Sequence, residues 1–259
     1  MAYTREILTL SVEIGDAMLR SGAEIYRVED TVIHILQAYE IEEFDVYVLS
    51  NGIFASANEG QEDACSVVRH VPLAPVHLGK VSALNQLARD ICSHDCSLVD
   101  AWVRLEECKN IPEYPRLLQD FCCALGSATF CYIFGGHVID ALFAFVIGFF
   151  EEELLFFFAR NKWSSVLKNL FASAFVTLSS ILVLFTGLPL QQDKIVIGSI
   201  MILVPGIALT TSIRDVYNGD YLSGTIHLID ALLTAACIAA GVCISLFICQ
   251  ELMGGGFLL

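Results

Sequence analysis

The pattern of apolar and polar positions divides the chain into two parts. Residues 1–116 mix apolar and charged side chains at short spacing, whereas residues 117–259 are dominated by long apolar runs. Five runs approach the roughly 20 residues that a helix needs to cross a bilayer, and they cover residues 117–134, 138–158, 166–186, 195–213 and 224–248. The pattern predicts an α-helical integral membrane protein with five transmembrane helices, preceded by an N-terminal cytosolic α+β domain.

The first part, residues 1–116, alternates helical and strand periodicities. Apolar residues at helical spacing predict helices over residues 4–19 and 23–39, and again over 77–91 and 97–109. Between these pairs, β-branched and aromatic residues predict a three-stranded antiparallel meander over residues 44–50, 53–57 and 65–71. Asn51-Gly52 is a hairpin signal because both residues tolerate positive φ, and Glu59-Gly60 marks the second turn.

Composition and charge narrow the class of protein. The chain is 56% hydrophobic, with a net charge of −15 and a mean hydropathy of +0.65. An acidic chain lacks the basic footprint that phosphate binding needs, so a nucleic-acid partner is not expected. Residues 1–20 lack the continuous apolar core of a secretory signal, and we expect the first part to stay in the cytosol.

The ten cysteines do not indicate a disulfide scaffold. Six of them fall inside the apolar runs or, in the case of Cys249, directly after the last run, and there cysteine acts as a small apolar residue. Cys92, His94 and Cys96 stand close together, but their spacing is not a zinc pattern and no second pair stands nearby in sequence. The first part also has no Gly-rich phosphate loop or nucleophile elbow. We expect no metal, no cofactor and no enzyme active site there.

The fourth apolar run contains an interruption, Pro205-Gly206. A proline inside a helix removes one backbone hydrogen bond and clashes with the preceding turn, so residues 204–208 are predicted to be kinked or unwound. At membrane depth such backbone is tolerated where it is buried in protein or lines a wet cavity, which is how secondary transporters bind substrate. The alternative is a kink that serves packing alone.

Polar residues follow the interruption. Thr210, Thr211 and Ser212 could add hydroxyl contacts to a substrate, and with Pro205 and Gly206 they form the candidate binding site. Further along the chain stand candidates for ion coupling or for a structural clamp: Arg214, Asp215, Asp220, His227 and Asp230. Arg214 could pair with the neighbouring acids or attract an anion. His227 or Asp230 could carry a proton, or the two could pair across one helical turn.

The second apolar run carries acids at both ends. Asp140, near its start, joins the coupling-or-clamp candidates, although it also fits an ordinary helix N-terminal charge. Glu151, Glu152 and Glu153 cannot all face lipid. Either the span ends near Phe150, or a glutamate points into the helix bundle.

The positive-inside rule sets the orientation. With the first part in the cytosol, Lys194 alone among the basic residues lies on an outer flank, and the inner flanks carry Lys109, Arg116, Arg160, Lys162, Lys168 and Arg214. We expect a multi-pass protein of the cell (inner) membrane with a cytoplasmic N-terminus and an extracytoplasmic C-terminus.

The chain resembles the threonine/serine exporter family, in its split form where a smaller membrane protein completes the transporter. The resemblance covers nearly the whole length, and the motifs that carry it are residues 21–30, Gly135-Gly136 with Asp140, residues 203–206, residues 213–215, Gly219-Asp220 and Ser223-Gly224. Thr211, His227 and Asp230 stand where the family commonly has Asn, Arg and Glu, so substrate preference is open.

The resemblance implies a subunit of a secondary exporter for threonine and serine, or for related small carboxylates such as succinate. It also implies a second membrane subunit as partner. An odd number of spans without an internal repeat agrees with such a partner, because inverted-repeat transporters pair spans from two halves. Two other functions stay open: a non-transporting membrane scaffold, and an intramembrane hydrolase that uses a carboxylate pair from Asp140, Asp215, Asp220 or Asp230.

Overall fold

The computed structural model describes residues 2–58, 64–72 and 76–252. The chain forms two compact units, Met1–Glu113 and Tyr114–Leu259. The described residues include no group of three or more His, Cys, Asp or Glu side chains that could hold a metal ion.

The first unit packs four helices with a small sheet. Its helices are α1 (Ala2–Arg20), α2 (Ile25–Ala38), α3 (Leu78–Cys92) and α4 (Leu98–Lys109). The strands β1 (Phe44–Leu49), β2 (Gly52–Ala57) and β3 (Cys65–His70) pair antiparallel in the order β1-β2-β3. The predicted meander is therefore confirmed, and Leu49 faces Gly52 across the first hairpin. The second predicted turn, Glu59-Gly60, lies outside the described residues.

Helix α1 is the central element of this unit, because it packs against α2, β2, β3, α3 and α4. Its apolar side chains, including Ile7, Leu8 and Ile14, are fully buried. Ser97 caps α4 by accepting a hydrogen bond from the backbone N–H of Asp100 at 3.2 Å. The unit thus has a core of its own.

In the described residues of the second unit, all regular elements are helices. Its elements are α5 (Arg116–Ile133), α6 (Val138–Arg160), α7 (Ser165–Leu184), α8 (Gln192–Ile200), α9 (Gly206–Tyr217) and α10 (Tyr221–Leu252). Helix α6 packs against α5, α7 and α8, and α10 packs against α7 and α9.

Two helices, α7 and α10, are long and apolar enough to cross a membrane. The other three predicted spans are helical but do not pass the same test, so five transmembrane helices are not confirmed. The fourth run is divided into two helices of 9 and 12 residues, α8 and α9. Helix α6 carries Asp140 and three consecutive glutamates, and α5 opens with Arg116 and holds Asp120.

Candidate functional site: the interrupted helix and the hairpin that follows it

The helix is broken between Ile200, where α8 ends, and Gly206, where α9 begins. The sequence places the break at residues 204–208, and the structure places it at 201–205. The reason for the shift is that proline is tolerated at the start of a helix, where its missing N–H needs no partner. Pro205 therefore opens α9 instead of sitting inside a kink.

The break separates two packing environments. Helix α8 packs against α5, α6 and α7, whereas α9 packs mainly against α10. Leu203, in the middle of the break, is buried in a cluster with Ala172 of α7 and Ile238 of α10. The packing of Leu203 fixes the position at which the chain leaves α8 and enters the helical hairpin formed by α9 and α10.

The break leaves both carbonyl acceptors and amide donors of the backbone without backbone partners. At its start, no described backbone N–H donates to the carbonyl oxygens of Met201, Ile202 and Leu203. At its end, no described carbonyl accepts from the amides of Ile207 and Ala208, the first-turn donors of α9. A helix C-terminus with acceptors thus precedes a helix N-terminus with donors.

The hydroxyl groups of the predicted binding residues all donate back into α9. Thr210 Oγ1 lies 3.0 Å from the carbonyl oxygen of Gly206, and Thr211 Oγ1 lies 2.9 Å from that of Ile207. Ser212 is buried, and its Oγ lies 2.7 Å from the carbonyl oxygen of Leu209. Because each hydroxyl has one proton, these groups offer lone pairs to a ligand and not donors.

Helices α9 and α10 approach closely at Gly224. A Cβ atom added there would lie 2.6 Å from Val216 Cγ2 and 2.9 Å from the carbonyl oxygen of Ser212. Such distances are shorter than van der Waals contact, so a side chain at this position would push the two helices apart. The turn between them uses Gly219 at a φ of 90°, which glycine adopts without strain.

The acids of the hairpin have structural contacts. Asp220 Oδ1 accepts a hydrogen bond from the backbone N–H of Ser223 at 3.2 Å and so caps α10. Asp215 is buried, and its Oδ1 lies 4.0 Å from Arg214 Nη2. Both acids therefore have contacts within the hairpin of α9 and α10.

Of the two alternatives for His227 and Asp230, the structure does not contain the pairing across one turn, because no ion pair joins the two side chains in the described part of α10. His227 is half-buried and Asp230 is exposed on the helix surface. An exposed acid within a long apolar helix needs water, a partner chain or a polar path beside it.

Asp140 lies apart from the break and connects two helix ends. Its Oδ2 accepts from the backbone N–H of His137 at 2.7 Å, and its Oδ1 accepts from that of Gln191 at 3.0 Å. The side chain is fully buried. Asp140 therefore caps α6 and holds the residue that precedes α8, as a clamp would.

Sequence reasoning missed an ionic cluster between α5 and α6, in which Asp120 is fully buried and Glu153 is exposed. Arg116 Nη2 lies 2.9 Å from Asp120 Oδ1, and Arg116 also contacts Glu152 and Glu153 at 3.4 and 3.6 Å. The sequence signal for this cluster is the spacing of Arg116 and Asp120, since an arginine four residues before an acid can pair with it on one helix face. Of the two alternatives for the glutamate triplet, the structure shows the second, because α6 continues to Arg160 and Glu151 is fully buried.

Comparison with known proteins gives the family to which this chain belongs. The sequence model of the threonine/serine exporter family matches residues 9–249, which include both units and every candidate residue above. The chain belongs to the threonine/serine exporter family. Together with the apolar helices, this membership makes it a membrane protein of an amino-acid exporter family.

Two bacterial relatives carry the family name. A Mycobacterium tuberculosis protein named "Probable threonine/serine exporter" is 25% identical over 249 residues, which are 94% of this chain and 46% of that protein. The "Threonine/serine exporter" of Corynebacterium glutamicum is 26% identical over 245 residues, which are 91% of this chain and 50% of that protein.

A yeast relative carries another name. The "Pheromone-regulated membrane protein 10" of Debaryomyces hansenii is 25% identical over 239 residues, 87% of this chain and 23% of that protein. The chain thus spans about half the length of the two bacterial exporters and about a quarter of the yeast protein. No solved structure matches it.

Proposed function

We propose that this chain is one subunit of a secondary exporter for threonine and serine, or for a related small carboxylate such as succinate. The observation that carries the proposal is the break at residues 201–205, which lies in a chain of the threonine/serine exporter family. Discontinuous helices are the elements with which many secondary transporters bind substrate.

The two sides of the break suit a zwitterionic amino acid. The amides of Ile207 and Ala208 lie at the positive end of α9 and suit a carboxylate. The carbonyl oxygens of Ile202 and Leu203 and the lone pairs of Thr211 suit an ammonium group and a substrate hydroxyl. A dicarboxylate would use only the donor side, so this chemistry favours the amino acid.

In this proposal the second unit crosses the membrane five times, with α8 and α9 together forming the fourth crossing. The N-terminus lies in the cytosol, and the C-terminus lies outside, in accordance with the distribution of basic residues. Asp140, Asp215, Asp220 and Arg214 hold helix ends, and Pro205, Gly206 and the three hydroxyl residues Thr210, Thr211 and Ser212 surround the substrate.

A second membrane subunit completes the transporter. Support comes from the surfaces of α9 and α10, where large apolar side chains such as Ile213 and Leu232 are 63% and 59% exposed. A partner helix or lipid would cover these side chains.

The test measures threonine efflux from cells of the source organism in which the gene for this chain is deleted. These cells then receive either the wild-type gene or a variant. Wild-type protein should restore efflux, and Pro205→Ala and Thr211→Ala should reduce it, because each alters the break or its acceptors. Thr129→Ala is a matched control, since the hydroxyl of Thr129 on α5 likewise donates to a backbone carbonyl one turn earlier in its own helix. Wild-type efflux from both site variants would remove the proposed site, and no efflux from complemented cells would favour the scaffold.

A further inference from the structure

We infer that Glu151 is the residue that takes up and releases the coupling proton during transport. The inference rests on the proposed exporter function and adds a site to it. Glu151 lies in the middle of α6, at 0% exposure, and among the described residues neither of its carboxylate oxygens has a hydrogen-bond partner.

Glu151 lies where α5 and α6 pack closely against each other. One turn before Glu151, Gly148 packs directly on the side chain of Ser127, and Ser127 Oγ is also buried without a hydrogen-bond partner among the described residues. A cationic neighbour is not available, because Arg116 is held by Asp120, Glu152 and Glu153. Glu151 is thus an acid that the local ionic cluster does not neutralise.

The charged groups around Glu151 that Arg116 does not fully separate from it are acids, Asp120 on α5 and Glu152 on α6 itself. Cys123 on α5 adds no charge, because its thiol is protonated and donates to the carboxylate of Glu152, with Sγ at 3.6 Å. A negative charge on Glu151 would be repelled by the two acids. A buried carboxyl in such surroundings is stable as the neutral acid.

The other two helices that pack on α6, α7 and α8, place no charged residue beside Glu151. Lys168, in α7, lies in the first turn of that helix, and α8 carries Asp193 and Lys194 at its start. The start of α8 adjoins Asp140, at the opposite end of α6 from Arg160, because Gln191 donates to Asp140. Glu151 is eleven positions away along the helix, roughly 16 Å at 1.5 Å per residue.

A proton fits this site better than a metal cation. Sodium or calcium requires several oxygen ligands, and no cluster of three or more acidic, His or Cys ligands is found in the described part of the chain. A lone carboxyl needs only one proton to become neutral. To release that proton it must reach water or a cation, which requires a different helix arrangement, and this requirement couples the proton to conformational change.

The transport test uses inverted membrane vesicles from source cells that carry the variants. With Glu151→Gln, threonine uptake driven by a proton gradient should be lost, while exchange of labelled for unlabelled threonine should continue. Glu153→Gln is the control, because this exposed acid lies two residues away on the same helix. Gradient-driven uptake by Glu151→Gln at the wild-type rate would overturn the inference.

A second measurement does not depend on transport. Infrared difference spectra of the purified protein at neutral pH should contain the C=O band of a protonated carboxyl. This band should weaken in Glu151→Gln and persist in Glu153→Gln. An unchanged band in Glu151→Gln would overturn the inference even if threonine exchange proceeds. If exchange is absent in all vesicles, the exporter proposal fails, and the spectra still decide whether Glu151 holds a proton.

Discussion

The carboxylate of Asp140 accepts hydrogen bonds from two backbone amides, and the one from Gln191 spans 51 residues at 3.0 Å. It joins the start of α6 to the residue before α8. Because α8 leads directly into the break, Asp140 helps to fix the position of the candidate site without touching it.

Replacement of Asp140 should therefore affect stability more than coupling. In Asp140→Asn one acceptor becomes an amide donor that faces a backbone N–H, and the loss should be about 1–2 kcal/mol of unfolding free energy. Thermal unfolding of the purified protein measures this loss. Asp193→Asn is the control, because Asp193 is an exposed acid in the first turn of α8. A variant that melts like wild type but loses proton-driven threonine uptake would instead assign Asp140 to ion coupling.

The contact between α9 and α10 should tolerate no side chain at Gly224. Gly224→Ala is expected to cost about 1–3 kcal/mol, because its Cβ would overlap Val216 and the carbonyl of Ser212. Threonine efflux should fall with it. Gly126→Ala is the matched control, since an added Cβ at that position of α5 meets nothing within 4 Å. Equal thermal stability of the two variants would show that the hairpin is looser than described.

The first unit should lose stability in acid through Glu13. Burial alone would raise the pKa of Glu13, but the hydrogen bond from Arg69 and the charges of Lys109 and Arg69 outweigh it and lower the pKa below 4.5. A carboxyl with a lowered folded-state pKa stabilises the fold above its unfolded pKa. This contribution is lost as the pH falls through the folded value.

Urea unfolding of the full chain in a Trp163→Phe background measures this effect, because Trp102 of α4 is then the remaining tryptophan. Glu13→Gln should be less stable than its background at neutral pH, and the difference should shrink in acid below the unfolded pKa. Glu6→Gln, at an exposed position of the same helix, should behave like the background at both pH values. A gap that stays constant on acidification would exclude the ion pairs with Arg69 and Lys109 as its cause.

Local patterns predicted much of the fold. The meander followed from Asn51-Gly52 between β-branched runs, and α4 followed from apolar residues at helical spacing, because both signals depend on neighbouring residues. The number of spans could not be fixed in this way. Hydrophobic length alone does not show whether α5 and α6, with their acids, face lipid or protein.

The candidate site was predictable only in part. Pro205 marked the interruption, but its location before the proline depends on where α8 leaves the bundle and Leu203 packs. The pairing of Asp140 with Gln191 and the burial of Glu151 depend on contacts between distant helices, which no sequence spacing records. The one-turn spacing of His227 and Asp230 left a pair between them open, and in the structure His227 is half-buried whereas Asp230 is exposed.

The central claim is that the break at residues 201–205 opens backbone groups to water and closes on substrate. Hydrogen exchange of the reconstituted protein, measured by mass spectrometry on peptides that cover Ile207 and Ala208, tests it most directly. The account predicts rapid exchange of these two amides without ligand and marked protection by L-threonine, with D-threonine protecting less and α7 peptides unchanged. Amides that are already protected without threonine, and unaffected by it, would contradict the account.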